Sequence, residues 1–225
     1  MPAFRVGFVP GVTPDKWSRA WAERMPRRPL ALVPLGDRDG VALLRSGELE
    51  MCFVRLPVDS DGLHLIPLYD EQPVVVVSRE HPVAAYDRID VAELADEHLL
   101  QDPDDVPAWR DVATEVADGS RHPVPALTLH QAMESVAADA GVLVLPMSLA
   151  RLHRRKDVAS VPVAGVPATR VGLAWLRTAD DDRIETFVGV VRGRTARSSR
   201  SPTAGPRHER SQRTQRRQRS RGRRR

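Results

Sequence analysis

Four consecutive apolar side chains, Met51, Cys52, Phe53 and Val54, sit inside a predicted strand over residues 50–56. A strand turns successive side chains to opposite faces, so one that is apolar at every position must be covered on both. Strands of that kind belong to a parallel sheet flanked by helices. The sequence before it agrees. Residues 4–9 alternate and β-branch like a buried strand, stopped by Pro10 and Gly11. Thr13 is placed to cap a helix, with Pro14 at its first position. Trp17, Ala20, Trp21 and Met25 follow at helical spacing, and Pro26 and Pro29 close that helix. A second strand over 30–35, a turn over 36–40 and a short helix over 41–46, ended by Gly47, lead into the third strand. The first 56 residues therefore read β-α-β-α-β, the pattern of an open α/β sheet.

Further along, strands are predicted over 64–69, 73–78, 126–129, 142–145, 158–163 and 171–176. Helices are predicted over 91–95 (capped by Asp90), 108–117, 130–138, 148–155 and 183–192. In the last of these Ile184, Phe187, Val188 and Val191 share one face. No repeat recurs at a fixed period.

Charge divides the chain at about residue 192. Residues 192–225 hold fourteen Arg, no Lys and one Glu, a formal charge of +13. The residues before them hold twenty basic and twenty-nine acidic side chains, so that body carries −9. The whole-chain value of +4 is a cancellation, and the body is not a basic nucleic-acid binder. The tail has only Ala196 and Ala204 as apolar side chains and is expected to be disordered, since it cannot offset chain entropy by burial. Cys52 is the one cysteine, which excludes an intramolecular disulfide scaffold. The start, MPAFRVGFVPG, does not resemble a signal peptide, and no apolar run is long enough to cross a bilayer, so a cytoplasmic protein with no membrane contact is expected.

Several phrases, in order, resemble the effector-binding domain of LysR-type transcriptional regulators. FRVGFVPG at 4–11 is similar to the family's first strand and ligand loop. GVALLRSGELEMCFVRLP at 40–57 resembles its helix, Gly turn and strand. HLIPLYDEQPVVVVSREHPVA at 64–84 resembles the linker strand with its following aliphatic run, and VAELADEHLL at 91–100 the short helix after it. LHQAMESVAADAGVLVLPMSLARL at 129–152 and VGLAWLRTADDDRIETFVGVV at 171–191 resemble the late helix, strand and Leu-Pro stop and the closing strand and helix. The resemblance covers about residues 4–192. Two departures stand out. The family begins with a winged helix-turn-helix and linker helix that read DNA and dimerise, whereas here the first strand begins at Phe4, so that module is expected to be missing. The family's Gly-x-Gly before the late strand is Asp139-Ala140-Gly141 here, and Asp tolerates the left-handed backbone better than most residues.

The resemblance implies an α/β, two-lobe fold of the type 2 periplasmic-binding-protein kind. Lobe one would comprise residues 1–71 and 164–192, lobe two residues 72–163, and the Arg-rich tail residues 193–225. Crossings near 70–72 and 161–165 would form the hinge, with a small ligand between the lobes at the carboxyl ends of strands.

The candidate ligand residues follow from that frame. Pro10, Gly11, Val12 and Thr13 follow a strand and open a helix, where free N–H groups favour an anion; an ordinary helix cap is the competing reading. Thr128, Leu129 and His130 open a helix in the second lobe and would face that loop, with the Thr128 hydroxyl and the His130 ring as donors; alternatively His130 is a solvated first-turn residue. Arg55 ends the third strand and suits a ligand carboxylate, or else points to solvent or pairs with Asp59. Gln101, with Asp102, would line the opposite wall. Cys52 reads as a small core residue. The seven His include no i,i+4 pair, so no metal site and no cofactor are expected. Ser148, His153 and Asp157 do not share a helical face, and no nucleophile elbow or phosphate-binding glycine motif is present, so no catalytic residue is assigned.

The leading expectation is a sensor of a small, anionic metabolite, acting in transcription regulation, with a homodimer through the helices near 14–25 and 130–138 to be tested. The alternatives are a solute-binding protein of a transporter, an enzyme on the same fold, or a nucleic-acid-binding protein acting through the tail. The tail lacks an aromatic residue for base stacking, so any nucleic-acid contact would be non-sequence-specific. It also reads as an unselected extension or as an arm lying on the acidic body.

Overall fold

The computed structural model describes residues 2–36 and 38–193. The expectation of a disordered tail falls on residues outside those described. Strands β1 (Phe4–Phe8), β2 (Leu30–Pro34), β3 (Met51–Arg55), β4 (Leu63–Glu71) and β9 (Thr169–Leu176) form one sheet in the order β2-β1-β3-β9-β4. Strands β5 (Pro73–Ser78), β6 (Ile89–Asp90), β7 (Leu143–Pro146) and β8 (Val158–Ala164) form a second, in the order β6-β8-β5-β7. The helices are α1 (Asp15–Arg24), α2 (Gly40–Arg45), α3 (Pro107–Arg110), α4 (Thr114–Ala117), α5 (Leu129–Ala137), α6 (Met147–Leu152) and α7 (Asp182–Val191). The chain leaves the first sheet through Gln72, between β4 and β5, and returns through residues 165–168, between β8 and β9. β1 runs parallel to β2 and β3, whereas β9 is antiparallel to both its neighbours, β3 and β4.

The strand that was apolar on both faces is indeed covered on both. Met51 and Phe53 join Phe4, Trp17, Trp21 and Phe187 under α1 and α7. Cys52 and Val54 join Leu44, Leu49 and Ala174 on the opposite face, beside α2. Stacking orders the first of these layers: Phe4 lies on Trp21 at 5.1 Å and Trp17 on Phe53 at 4.5 Å between ring centroids. β5 repeats the device in the second sheet. Val75 and Val77 pack toward Trp109, while Val74 and Val76 pack toward Met133 and Val136 of α5. Trp109 is fully buried, and its indole N–H donates to the carbonyl of Leu94 at 3.0 Å, so its one polar atom is satisfied.

Three local expectations are corrected. Residues 126–129 form no strand. Pro123 and Pro125 remove two N–H donors from the approach, and the segment runs as an extended lead into α5. The helix expected over 108–117 is broken in two, because the Thr114 N–H turns to the carbonyl of Ala95 at 2.8 Å and Ala113 is extended. Thr13 does not cap α1. The cap position is Pro14, whose carbonyl accepts the N–H groups of Trp17 and Ser18, and no side chain hydrogen-bonds the first turn. The departure at 139–141 is accommodated as expected: Asp139 adopts φ 58°. Gly141 has φ 152°, and a Cβ there would lie 2.4 Å from the His98 carbonyl oxygen, which makes glycine obligatory. Among the described residues, no helix is long and apolar enough to cross a membrane.

Candidate functional site

A cleft of about 1540 Å³ opens between the two sheets. Its walls come from Pro10 after β1, the ends of β3 and β7, the segment 100–108 and the start of α5. Strand ends expose backbone and side chains that no neighbour covers, which is why clefts in α/β folds gather there.

Arg55 ends β3 at the first-sheet wall. Its Nε donates to Glu71 Oε2 at 2.9 Å and its Nη2 to the Pro10 carbonyl at 2.9 Å. The two side chains are 9% and 5% exposed. The guanidinium thus ties together the ends of β1, β3 and β4. Asp59, the partner considered from sequence, pairs instead with Arg45 at 2.7 Å, and this holds the Asp59 carboxyl below the ordinary carboxylate range.

Gln101 lines the opposite wall. Its Oε1 accepts the Val144 N–H at 2.9 Å, which fixes the amide orientation and leaves Nε2 to donate elsewhere. Arg121 buttresses the same wall. It donates to the carbonyls of Leu99 and Gln101 at 2.8 and 3.0 Å, pairs with Glu115, and lies over the Trp109 ring at 5.3 Å. Sequence reasoning missed Arg121, because its partners lie six to twenty-two residues away and no local pattern marks it. Across the mouth of the cleft, Arg38 and Asp105 approach to 3.6 Å.

Of the residues expected at the ligand, Pro10, Arg55, Gln101 and Leu129 line this cleft, while Gly11, Val12, Thr13, Thr128 and His130 do not. Gly11 has φ 86°, and a Cβ there would lie 2.4 Å from the hydroxyl of Ser148, at the start of α6. That hydroxyl is buried without a hydrogen-bond partner. Thr128 caps α5: its hydroxyl accepts the Gln131 N–H at 3.3 Å, and the Gln131 side chain accepts the Thr128 N–H at 2.9 Å. The His130 side chain is 72% exposed, with Glu134 at 3.5 Å.

Cys52 is buried inside β3, and burial pushes its thiol up to about 12, far from the reactive thiolate form. Among the described residues, no three His, Cys, Asp or Glu side chains are grouped so as to hold a metal ion.

A sequence model of the LysR substrate binding domain matches residues 3–196. The chain is 29% identical over 198 residues to a probable hydrogen peroxide-inducible genes activator of Mycobacterium avium, covering 83% of this chain and 63% of that protein. It is 27% identical over 205 residues to the Hca operon transcriptional activator HcaR of Escherichia coli, covering 87% of this chain and 66% of that one. The chain thus spans less than two thirds of the length of the first of these relatives. A mutant of Corynebacterium glutamicum OxyR with H2O2 bound superposes with a TM-score of 0.68 at 23% identity, covering 86% of this chain and 65% of that one, a likeness of fold. With two sheets, two crossings and a cleft between them, and a family match over nearly all the described residues, the chain belongs to the LysR substrate-binding-domain family.

Proposed function

We propose that this chain is the ligand-sensing part of a LysR-type regulator of transcription, with a small-molecule effector bound between its two sheets. The single observation that carries the reading is the 1540 Å³ cleft between sheets joined through only two short crossings. Such a geometry suits hinge closure, in which ligand contacts from both walls favour the closed state. The lobes are residues 1–71 with 164–192, and residues 72–163, a division that the pairing of β1–β4 and β9 in one sheet and β5–β8 in the other supports except at Ala164, which pairs with Asp90 in the second sheet. Pro10, Arg55, Gln101 and Leu129 contact the ligand or hold its walls. Gly11 and its neighbours, Thr128 and His130 come closer on closure. The protein forms a homodimer through α1 and α5, to be read by light scattering, and it works in the bacterial cytoplasm, as its relatives are regulators of transcription.

The test is a thermal-shift screen of metabolites. A ligand at a hundred times its dissociation constant adds about 2.7 kcal/mol of stability. Hits should be weakened by Leu129→Trp, which puts an indole ring into the cleft wall; hits that this change leaves wholly unaffected, or a screen without hits, count against the reading.

A second reading rests on the +13 of residues 192–225. Fourteen guanidiniums release counterions when they meet phosphates, so the tail contacts nucleic acid without sequence preference. Comparing the full chain with residues 1–193 across a salt series tests it, and equal affinity of the two proteins removes it.

A further inference from the structure

The sensor reading leaves open which chemical class of ligand the cleft takes, and its lining speaks to that. Three guanidiniums line it, and each already faces a carboxylate: Arg38 faces Asp105, Arg55 faces Glu71 and Arg121 faces Glu115. Three further carboxylates face the same space, Asp59, Asp102 and Asp104, and among the described residues His153 is the one other basic side chain in the lining. An anion seated on Arg55 would compete with Glu71, a 5% exposed carboxylate that needs this cation, which leaves the exposed Arg38, at 3.6 Å from Asp105, as the more accessible guanidinium. The anion would also enter a lining of four carboxylates and three guanidiniums, two of the carboxylates, Asp59 and Asp104, being paired with Arg45 and Arg110 outside the lining.

The helix N-termini offer little compensation. The loop before α1 is off the cleft wall except for Pro10, and Asp15 puts a negative charge in the first turn of that helix. At the start of α5 the reciprocal bonds of Thr128 and Gln131 take up the N–H groups of those two residues. The remaining wall is aliphatic. Val41, Val54 and Leu56 face Leu100, Leu129 and Leu145, and no Phe, Tyr or Trp lines the cleft among the described residues. Against this wall stands one oriented donor. Gln101 is pinned through its Oε1 to the Val144 N–H, and its Nε2 has neither a protein partner nor burial to silence it. A fixed donor in apolar surroundings selects a ligand acceptor strongly, because an unmatched polar group loses its hydrogen bonds to water.

We propose, resting on the sensor reading above, that the cleft binds an uncharged, largely aliphatic molecule whose carbonyl (an ester, lactone or amide) accepts a hydrogen bond from Gln101. The body of the ligand lies along the valine and leucine wall, and its carbonyl meets the Gln101 amide N–H, which is oriented by the bond that Oε1 accepts from Val144.

The experiment is a matched series on one skeleton: methyl octanoate, octanamide, octanoate and octylamine, read by thermal shift and calorimetry on the full chain. The two neutral compounds are expected to bind at least tenfold more tightly than either charged one. Gln101→Glu keeps the acceptor for Val144 and removes the donor, so it should weaken the neutral pair about tenfold while the unliganded melting temperature stays as it was. Octanoate or octylamine binding as tightly as the neutral pair overturns the proposal, and so does neutral binding that Gln101→Glu leaves unchanged. Failure of all four compounds overturns it too. The metabolite screen with Leu129→Trp separates the two failures. A charged ligand whose binding Leu129→Trp weakens leaves the sensor reading standing without this one, whereas a screen with no ligand so affected removes both.

Discussion

Arg55 Nε donates to Glu71 Oε2 at 2.9 Å, with almost all of both side chains withdrawn from water. The two residues end different strands, so their pairing locks β3 against β4 at the wall of the cleft. Arg55→Met leaves the Glu71 carboxylate buried without its cation and should cost about 3–5 kcal/mol. Replacing both residues by methionine should recover most of that loss, because no unpaired charge remains. Urea denaturation of the two variants checks this; a double variant no better than the single one would show that the charge is not the issue.

Gly11 and Ser148 meet across the two lobes. A methyl group at Gly11 would lie 2.4 Å from the Ser148 hydroxyl, on a backbone with φ 86°. Gly11→Ala is therefore expected to destabilise by about 1–3 kcal/mol, part from the left-handed backbone and part from the clash. Adding Ser148→Gly should restore only the clash share. Full restoration in a melting experiment would mean that the backbone costs nothing.

Cys52 is a free thiol buried inside β3. Burial raises its pKa from 9.0 to about 12. The native state thus favours the protonated thiol. Its contribution to stability is whole below pH 9 and is lost as the pH rises toward 12. Native protein should leave a thiol-reactive disulfide reagent and hydrogen peroxide unconsumed at neutral pH, and react after unfolding in guanidinium. Mass spectrometry that finds Cys52 oxidised in the folded protein would contradict this.

Asp157 gives a prediction in acid. Its hydrogen bond with Arg155 lowers its pKa from 3.8 to about 2. The native state therefore favours the carboxylate, and the pair's contribution is present above pH 3.8 and lost as the pH falls toward 2. The pair is exposed, so the effect is small and screened by salt. Asp157→Asn should flatten the acid limb of the melting-temperature profile slightly at low salt and leave it unchanged at high salt.

The residues legible from sequence were those whose signal is local. The two-faced strands announce themselves as unbroken apolar runs, at Met51–Arg55 and again at Pro73–Ser78, and both proved to be covered on both sides. Asp139 took the left-handed backbone that its chemistry permits. Thr128 formed the cap that its spacing to Gln131 allows. The failures were places where a distant group outbid a local preference: the Ala95 carbonyl captured Thr114 and broke a helix, and no strand was in reach of residues 126–129.

The cleft itself divides the same way. Sequence alone pointed to Pro10, Gln101 and Leu129, which lie after a predicted strand, in a predicted wall and at a predicted helix start and which all line the cleft. Only the tertiary structure decided that Arg55 is spent on Glu71, that Arg121 holds the wall of Gln101, and that Gly11 must make room for Ser148. These pairings join residues 16, 20 and 137 positions apart. Periodicity carries information only over the few residues of a turn or a strand, whereas which charge meets which across a cleft is fixed by the packing of whole sheets.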